Sequence, residues 1–173
     1  MRAADRAGRL KLMAFDVDGV LTDGTLYFTP GGEEIKAFST QDGQGMKLLR
    51  SAGVQVAVIT ARRSQVVELR ARNLGIEHVR QGADDKLAAM VDILARVGLS
   101  IDDAGYMGDD VMDLPLLRAC AFSATVSDGH ELVRRRVDYV SRAGGGCGAV
   151  REVCEFILRA QGTLEAALSP YTG

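Results

Sequence analysis

Cysteine is scarce in this sequence, and what there is does not pair. Cys120, Cys147 and Cys154 are odd in number and widely spaced, which argues against a disulfide framework and against paired zinc ligands. A reducing compartment is the expectation. An excess of one charge is also lacking. Against 23 Asp and Glu stand 21 Lys and Arg, a net charge of −2. Neither nucleic acid nor an anionic membrane is an expected partner, and any basic site must be local. No apolar run approaches the roughly 18 residues of a membrane helix, and the charged stretch 1–9 lacks the apolar core of a signal peptide. The protein therefore reads as cytoplasmic. Internal repeats and low-complexity linkers are missing, as is the Gly-x-x-x-x-Gly-Lys-Ser/Thr pattern of a P-loop. At 173 residues the chain suits a single domain, 1–173, with a sizeable core.

What is there is organised around residues 12–24. An apolar run, Leu12 to Phe15, reads as the buried centre of a first strand spanning Leu10 to Asp16. It ends in Asp16 and Asp18, followed by Gly19. Residues i and i+2 of a strand share a face, so the two carboxylates are aimed at one small volume. Such a pair is stable only with a cation between its members or a proton on one of them. Both solutions are chemically useful: a hard-metal site, or a nucleophile beside an acid.

Residues 25–39, with Pro30-Gly-Gly32 at the centre, read as a β-hairpin placed to project over the aspartates. From there, strands and helices alternate. Strands are expected at 54–60, 77–80, 104–107, 120–126 and 137–141. Helices are expected at 43–52, 64–74, 84–97 (with Leu87, Met90, Val91 and Leu94 on one face), 111–119, 129–135 and 149–160. Residues 1–9 read as a loose arm, and composition shifts after Ser141 to a Gly-rich tail. The alternation predicts an α/β, Rossmann-like three-layer fold with a mainly parallel sheet. Ligands bind such sheets at the carboxyl ends of the strands. Those ends carry Asp16 and Asp18, then Thr60 with Arg62 and Arg63, then Lys86 at the next helix start, then Asp109, Asp110 and Asp113.

That set suits phosphoryl transfer, which needs charge dispersed and in-line geometry held. Asp16 is the candidate nucleophile and Asp18 the candidate acid and base. Thr60 and Lys86 are candidates for holding phosphate. Asp16, Asp109 and the Asp18 carbonyl are candidates for holding Mg²⁺, with Asp110 and Asp113 in support. Each fragment has a plainer reading: Asp-x-Asp and Gly-Asp-Asp are common in solvated turns, Thr60 can end a strand, and Lys86 can lie on a surface. Cys120 reads as core, and neither His78 nor His130 is given a role. The conjunction along one sheet edge favours the site. A phospho-receiver domain is a poorer fit, because the third strand end offers no acceptor aspartate. A catalytically dead regulatory domain would be expected to have lost Asp16 or Asp18.

Asp16-Val-Asp-Gly-Val-Leu-Thr, Thr60, Lys86 and Gly108-Asp-Asp-x-x-Asp113 resemble the four motifs of the haloacid dehalogenase superfamily. Asp18 to Gly24, Asp42-Gly-Gln-Gly45, Ile59-Thr-Ala-Arg62, Gln81 to Lys86 and Gly148 to Cys154 further resemble its capless branch, the 3-deoxy-D-manno-octulosonate 8-phosphate (KDO 8-phosphate) phosphatases, over about residues 10–165. The resemblance implies an Mg²⁺-dependent phosphatase of lipopolysaccharide synthesis, working through an aspartyl-phosphate and having no separate cap domain. It also implies a homotetramer with the hairpin at its centre, sites closed by a neighbouring subunit, a tail that helps cover the site, and Arg62 facing the sugar acid. A nonulosonate 9-phosphate phosphatase is the alternative within the branch. Two positions depart from the pattern. Ala61 stands where glycine is frequent, and Cys147 where an arginine is, leaving Arg142 or Arg151 as substitutes for that arginine.

Overall fold

The computed structural model describes residues 2–172. Eight strands are formed: β1 (Leu12–Phe15), β2 (Tyr27–Phe28), β3 (Glu34–Ile35), β4 (Gln55–Thr60), β5 (His78–Gln81), β6 (Ala104–Met107), β7 (Phe122–Thr125) and β8 (Tyr139–Val140). Six of them make one sheet in the order β5-β4-β1-β6-β7-β8, parallel throughout. β2 and β3 pair separately as the antiparallel hairpin. The helices are α1 (Ala3–Ala7), α2 (Thr40–Ser51), α3 (Gln65–Leu74), α4 (Lys86–Val97), α5 (Leu114–Ala119), α6 (Glu131–Arg134), α7 (Ala149–Ala160) and α8 (Leu164–Thr172).

β1 shows why the sheet is covered on both faces. Met13 and Phe15 enter a core with Met46, Leu49, Val150 and Ile157. Leu12 and Ala14 enter another with Met90, Ile93, Leu116 and Val133. A period of two thus feeds two helical layers from one fully buried strand. From β1 the chain goes to β4 and β5 on one side, then returns to β6, β7 and β8 on the other. The direction of winding reverses beside β1, where a crevice opens at the strand ends.

Several expected boundaries move. Residues 3–7 are a short helix rather than a loose arm, with Ala7 fully buried and α1 lying against α7. α2 begins at Thr40, three residues before the expected start, because Ser39 accepts a hydrogen bond from the Asp42 N–H at 3.3 Å and caps it. A further helix, α8, occupies residues read only as tail. On α4, Met90, Ile93 and Leu94 are buried while Val91 is 52% exposed. The apolar stripe therefore runs through Leu87, Met90, Ile93, Leu94 and Val97, and Val91 falls on its solvent side. Residues 111–113 form a 3-10 turn and Pro115 sits in the first turn of α5, where its missing N–H costs little.

Candidate active site

Each strand end delivers its side chain for a local reason. The β1 ladder continues one residue further, since the Asp16 N–H donates to the Met107 carbonyl at 3.0 Å. The chain then folds tightly, with the Val17 carbonyl accepting the N–H groups of Val20, Leu21 and Thr22 at 3.2, 2.9 and 3.1 Å. Gly19 takes φ +84° in that turn, and a Cβ there would run into the Asp109 carboxylate. The backbone of this loop and the Asp109 side chain are therefore in direct contact.

A cavity of about 210 Å³ opens at this edge, lined by Asp16, Asp18, Gly24, Thr60, Ala61, Arg62, Lys86, Asp109, Asp110 and Met112. Seven of the eight candidate residues thus share one volume. The eighth, Asp113, is completely buried beneath it. A larger open groove of about 470 Å³ lies against β5, lined by Arg63, Arg72, Arg80 and neighbours, and holds none of the eight.

The buried charges below the cavity are organised by Lys86. Its ammonium donates to Asp16 Oδ2 and, at 2.6 Å, to Asp113 Oδ1. Burial lowers its proton affinity, but the two carboxylates more than compensate, so its pKa is raised. Asp113 is saturated: Oδ1 also accepts the Tyr106 hydroxyl at 2.8 Å, and Oδ2 accepts the N–H groups of Asp109 and Asp110 at 3.0 and 3.1 Å. Tyr106 is the residue the sequence reading passed over here. As one aromatic in a buried strand, it gave no signal apart from core packing. Its own pKa is pushed up, by burial first and then by Asp16 and Asp113.

Asp16 has its carboxyl pKa raised to about 6, by burial first, with Lys86 opposing. Its Oδ1 accepts the Val17 N–H at 2.7 Å. Asp109 is raised to about 7, by burial and then by the charges of Asp16 and Asp113. One lysine does not balance the three carboxylates Asp16, Asp109 and Asp113, whose nearest oxygens lie within 4.8 Å of one another. The donor set is all oxygen, and it carries surplus negative charge. Both properties fit a hard divalent cation. Because Asp113 is already saturated, Asp16 and Asp109 are the carboxylates with capacity for it. No backbone N–H among the described residues donates to the Asp18 carbonyl oxygen, which is free to join them.

Thr60 is 3% exposed, and its hydroxyl accepts the Arg62 N–H at 3.4 Å. The Asp18 side chain faces the hairpin. Its Oδ1 is bound by Lys36, and its Oδ2 lies 3.7 Å from Arg62 Nε. Glu34 and Lys36 were not among the candidates, because charges beside a Gly-rich turn look like a solvated hairpin. Arg142 and Arg151 pair instead with Glu152 and Glu155, at 3.5 and 2.6 Å, and neither lines the cavity. The Gly-rich segment lies against the 17–24 loop, with the Gly146 N–H donating to the Val20 carbonyl at 3.0 Å. Among the described residues, none of the tail lines the cavity.

A scan of protein-family models matches none to this chain. Individual proteins do match. The chain is 43% identical over 162 residues to the 3-deoxy-D-manno-octulosonate 8-phosphate phosphatase KdsC of Escherichia coli K12, covering 94% of this chain and 86% of that one. A crystal structure of 3-deoxy-D-manno-octulosonate 8-phosphate phosphatase from Moraxella catarrhalis, in complex with magnesium, phosphate and KDO, superimposes with a TM-score of 0.95 at 42% identity, covering 98% of each chain. The cobalt-bound deoxy-D-mannose-octulosonate 8-phosphate phosphatase (YrbI) from Haemophilus influenzae gives a TM-score of 0.90 at 40% identity, covering 93% of this chain and 94% of that one.

Proposed function

The chain belongs to the 3-deoxy-D-manno-octulosonate 8-phosphate phosphatase family of the haloacid dehalogenase superfamily, and from that membership we propose that it hydrolyses KDO 8-phosphate to KDO and inorganic phosphate. The observation that carries the mechanism is the convergence of Asp16, Thr60 and Asp109, from the ends of β1, β4 and β6, and Lys86, from the start of α4, on one cavity.

Asp16 attacks phosphorus and becomes an aspartyl-phosphate as the sugar alkoxide departs. The buried Lys86 keeps the nucleophile oriented and offsets phosphate charge. Thr60 donates a hydrogen bond to a phosphoryl oxygen. Asp18 protonates the leaving alkoxide, then takes a proton from the water that cleaves the acyl phosphate. Arg62 binds the substrate carboxylate. Asp110 lines the mouth, and Asp113 holds Lys86 and the Asp109 backbone. Mg²⁺, held by Asp16, Asp109 and the Asp18 carbonyl, supplies charge neutralisation on the phosphoryl group.

The whole chain acts as one domain. The hairpin is its assembly surface in a homotetramer, with each site closed by a neighbouring subunit. Leu26, Tyr27, Phe28 and Ile35 are 41, 44, 57 and 54% exposed and cluster there, more apolar surface than an isolated two-stranded ribbon sustains. Phe28→Asp is expected to shift the species seen by light scattering from tetramer to smaller forms. A variant that remained tetrameric would remove the hairpin from the interface. Its free cysteines fit a reducing cytoplasm.

Phosphate release from KDO 8-phosphate, a nonulosonate 9-phosphate and an aryl phosphate, with Mg²⁺ or chelator, tests the activity. Metal-dependent preference for the first is expected. Preference for the second would retain the chemistry and change the substrate, with Ala61 in the cavity wall the first position to examine. Asp16→Asn is expected to reduce turnover to background while the fold persists. A variant that turned over normally would remove Asp16 as nucleophile.

A further inference from the structure

Asp18 is held by fewer groups than Asp16 or Asp113. Asp16 accepts from Lys86 and from a backbone N–H, and Asp113 accepts from four donors. Among the described residues, one group alone donates to the Asp18 carboxylate: the Lys36 ammonium, at Oδ1. Lys36 directly follows β3. Its side chain is only 2% exposed, so it is not a loose surface charge. Glu34 holds it from another side, with Oε1 at 3.2 Å from the ammonium. The second Asp18 oxygen, Oδ2, is buried and accepts no hydrogen bond. Arg62 Nε lies 3.7 Å from it, beyond hydrogen-bonding distance.

This pairing makes the two Asp18 oxygens unequal. An ammonium has donors and no acceptor. It favours the unprotonated form of the oxygen it holds, so a proton on Asp18 goes to Oδ2. The terminal torsion of an aspartate is soft, and a carboxyl with no partner turns about it. Lys36 restrains that torsion from a different segment of the chain. The hairpin therefore decides which Asp18 oxygen carries the proton and where it points.

We propose that Lys36 is a positioning residue for departure of the leaving group: it fixes the Asp18 carboxyl so that Oδ2 hands over the proton. As the bond from Asp16 to phosphorus forms and the bond from phosphorus to the leaving oxygen breaks, the Oδ2 proton passes to that oxygen. In the return step the same Oδ2 takes a proton from the attacking water. Lys36 acts through Asp18 and touches neither the phosphoryl group nor the leaving group. The role rests on the phosphatase reading above.

The test uses dinitrophenyl, nitrophenyl and phenyl phosphate, whose leaving groups grow more basic in that order while their shapes stay similar. Dinitrophenolate departs with little need of a proton, and phenolate needs one. kcat/KM is compared because it measures transition-state stabilisation relative to free enzyme and substrate. In Lys36→Met, kcat/KM for phenyl phosphate is expected to fall about tenfold or more relative to dinitrophenyl phosphate, a part of the 10²–10⁴-fold that a placed acid supplies. Lys36→Gln is expected to do the same. Each preparation serves as its own reference, so the ratio does not depend on the fraction that has folded. In an Asp18→Asn background neither substitution is expected to move the ratio further. Equal loss on all three substrates would assign Lys36 to phosphate binding or to folding. A ratio that still fell without Asp18 would show that Lys36 reaches the leaving group by another route. Either result overturns the proposal. Wild-type protein that cleaved the aryl series and not KDO 8-phosphate would refute the substrate reading, and the role of Lys36 would still be decided by the aryl ratio. Cleavage of none would overturn both.

Discussion

Asp113 contacts more of the site than any other side chain although it does not line the cavity. Four donors converge on its two oxygens: Lys86, Tyr106 and two backbone N–H groups. Replacing it with alanine leaves Lys86 with only Asp16 and strands two N–H groups in the loop that carries Asp109. Removing one member of a buried, fully bonded ion cluster costs about 3–5 kcal/mol. Asp113→Ala is therefore expected to lower unfolding stability by that order in urea titration, and to reduce turnover through a displaced Asp109. A variant within about 1 kcal/mol of wild type, the scale of a single ordinary hydrogen bond, would show that the cluster is not a structural keystone. The sequence pattern exposed Asp113 as a supporting residue because it follows Gly-Asp-Asp at one-turn spacing. It could not expose Tyr106, whose hydroxyl partner depends on how α5 returns over β6. Glu34 and Lys36 were equally hidden: no local pattern reveals that a charged hairpin will fold down onto Asp18.

At the scale of elements, glycines bring three segments together. Gly145 packs so closely on the 17–24 loop that a Cβ would sit 2.7 Å from both the Gly19 carbonyl carbon and the Thr22 carbonyl oxygen. Gly19 in turn packs on Asp109. The Gly-rich segment thus braces the 17–24 loop from behind, and that loop supports the Asp109 carboxylate. The brace is fixed by α7, whose first turn donates to the buried Asp42 of α2, at 2.8 Å from the Arg151 N–H. Gly145→Ala is expected to reduce kcat by an order of magnitude or more, by shifting the 17–24 backbone, with a smaller proportional loss of thermal stability. Unchanged kcat would mean that the loop positions Asp16 without this support. The sheet strands, α4 and α7 were legible because their apolar periods are strong and glycines mark many of their ends. α1 and α8 were not, because α1 has only five residues and α8 only the short Leu164, Ala167, Leu168 stripe. α1 contributes one buried alanine, and α8 has no fully buried residue and contains Pro170. Their helicity depends on docking against α7, which is tertiary information.

For the whole molecule, the sheet concentrates negative charge at a single edge, and this couples folding to pH and to metal. Asp109 is held near 7 and Asp16 near 6, against an ordinary value of 3.8 for each, with burial the main cause. A carboxyl whose folded pKa is raised binds its proton more tightly in the native state. Its contribution to stability is complete below about 3.8 and is lost as pH rises through the folded value. Chelator-treated protein is therefore expected to lose stability between about pH 4 and pH 7 from this source. Mg²⁺ needs the same carboxylates ionised, and a ligand that binds only the folded state stabilises it according to its affinity. The rise in melting temperature on adding Mg²⁺ should thus be small at pH 5 and large at pH 8. Taking the difference at each pH cancels titrations elsewhere in the chain that the metal does not touch. In Asp109→Asn, one surplus charge is gone, so the chelated protein should keep more stability at pH 8 and respond less to Mg²⁺. If wild type gained equally from Mg²⁺ at pH 5 and pH 8, the strand-end carboxylates would not be the groups that link metal binding to folding.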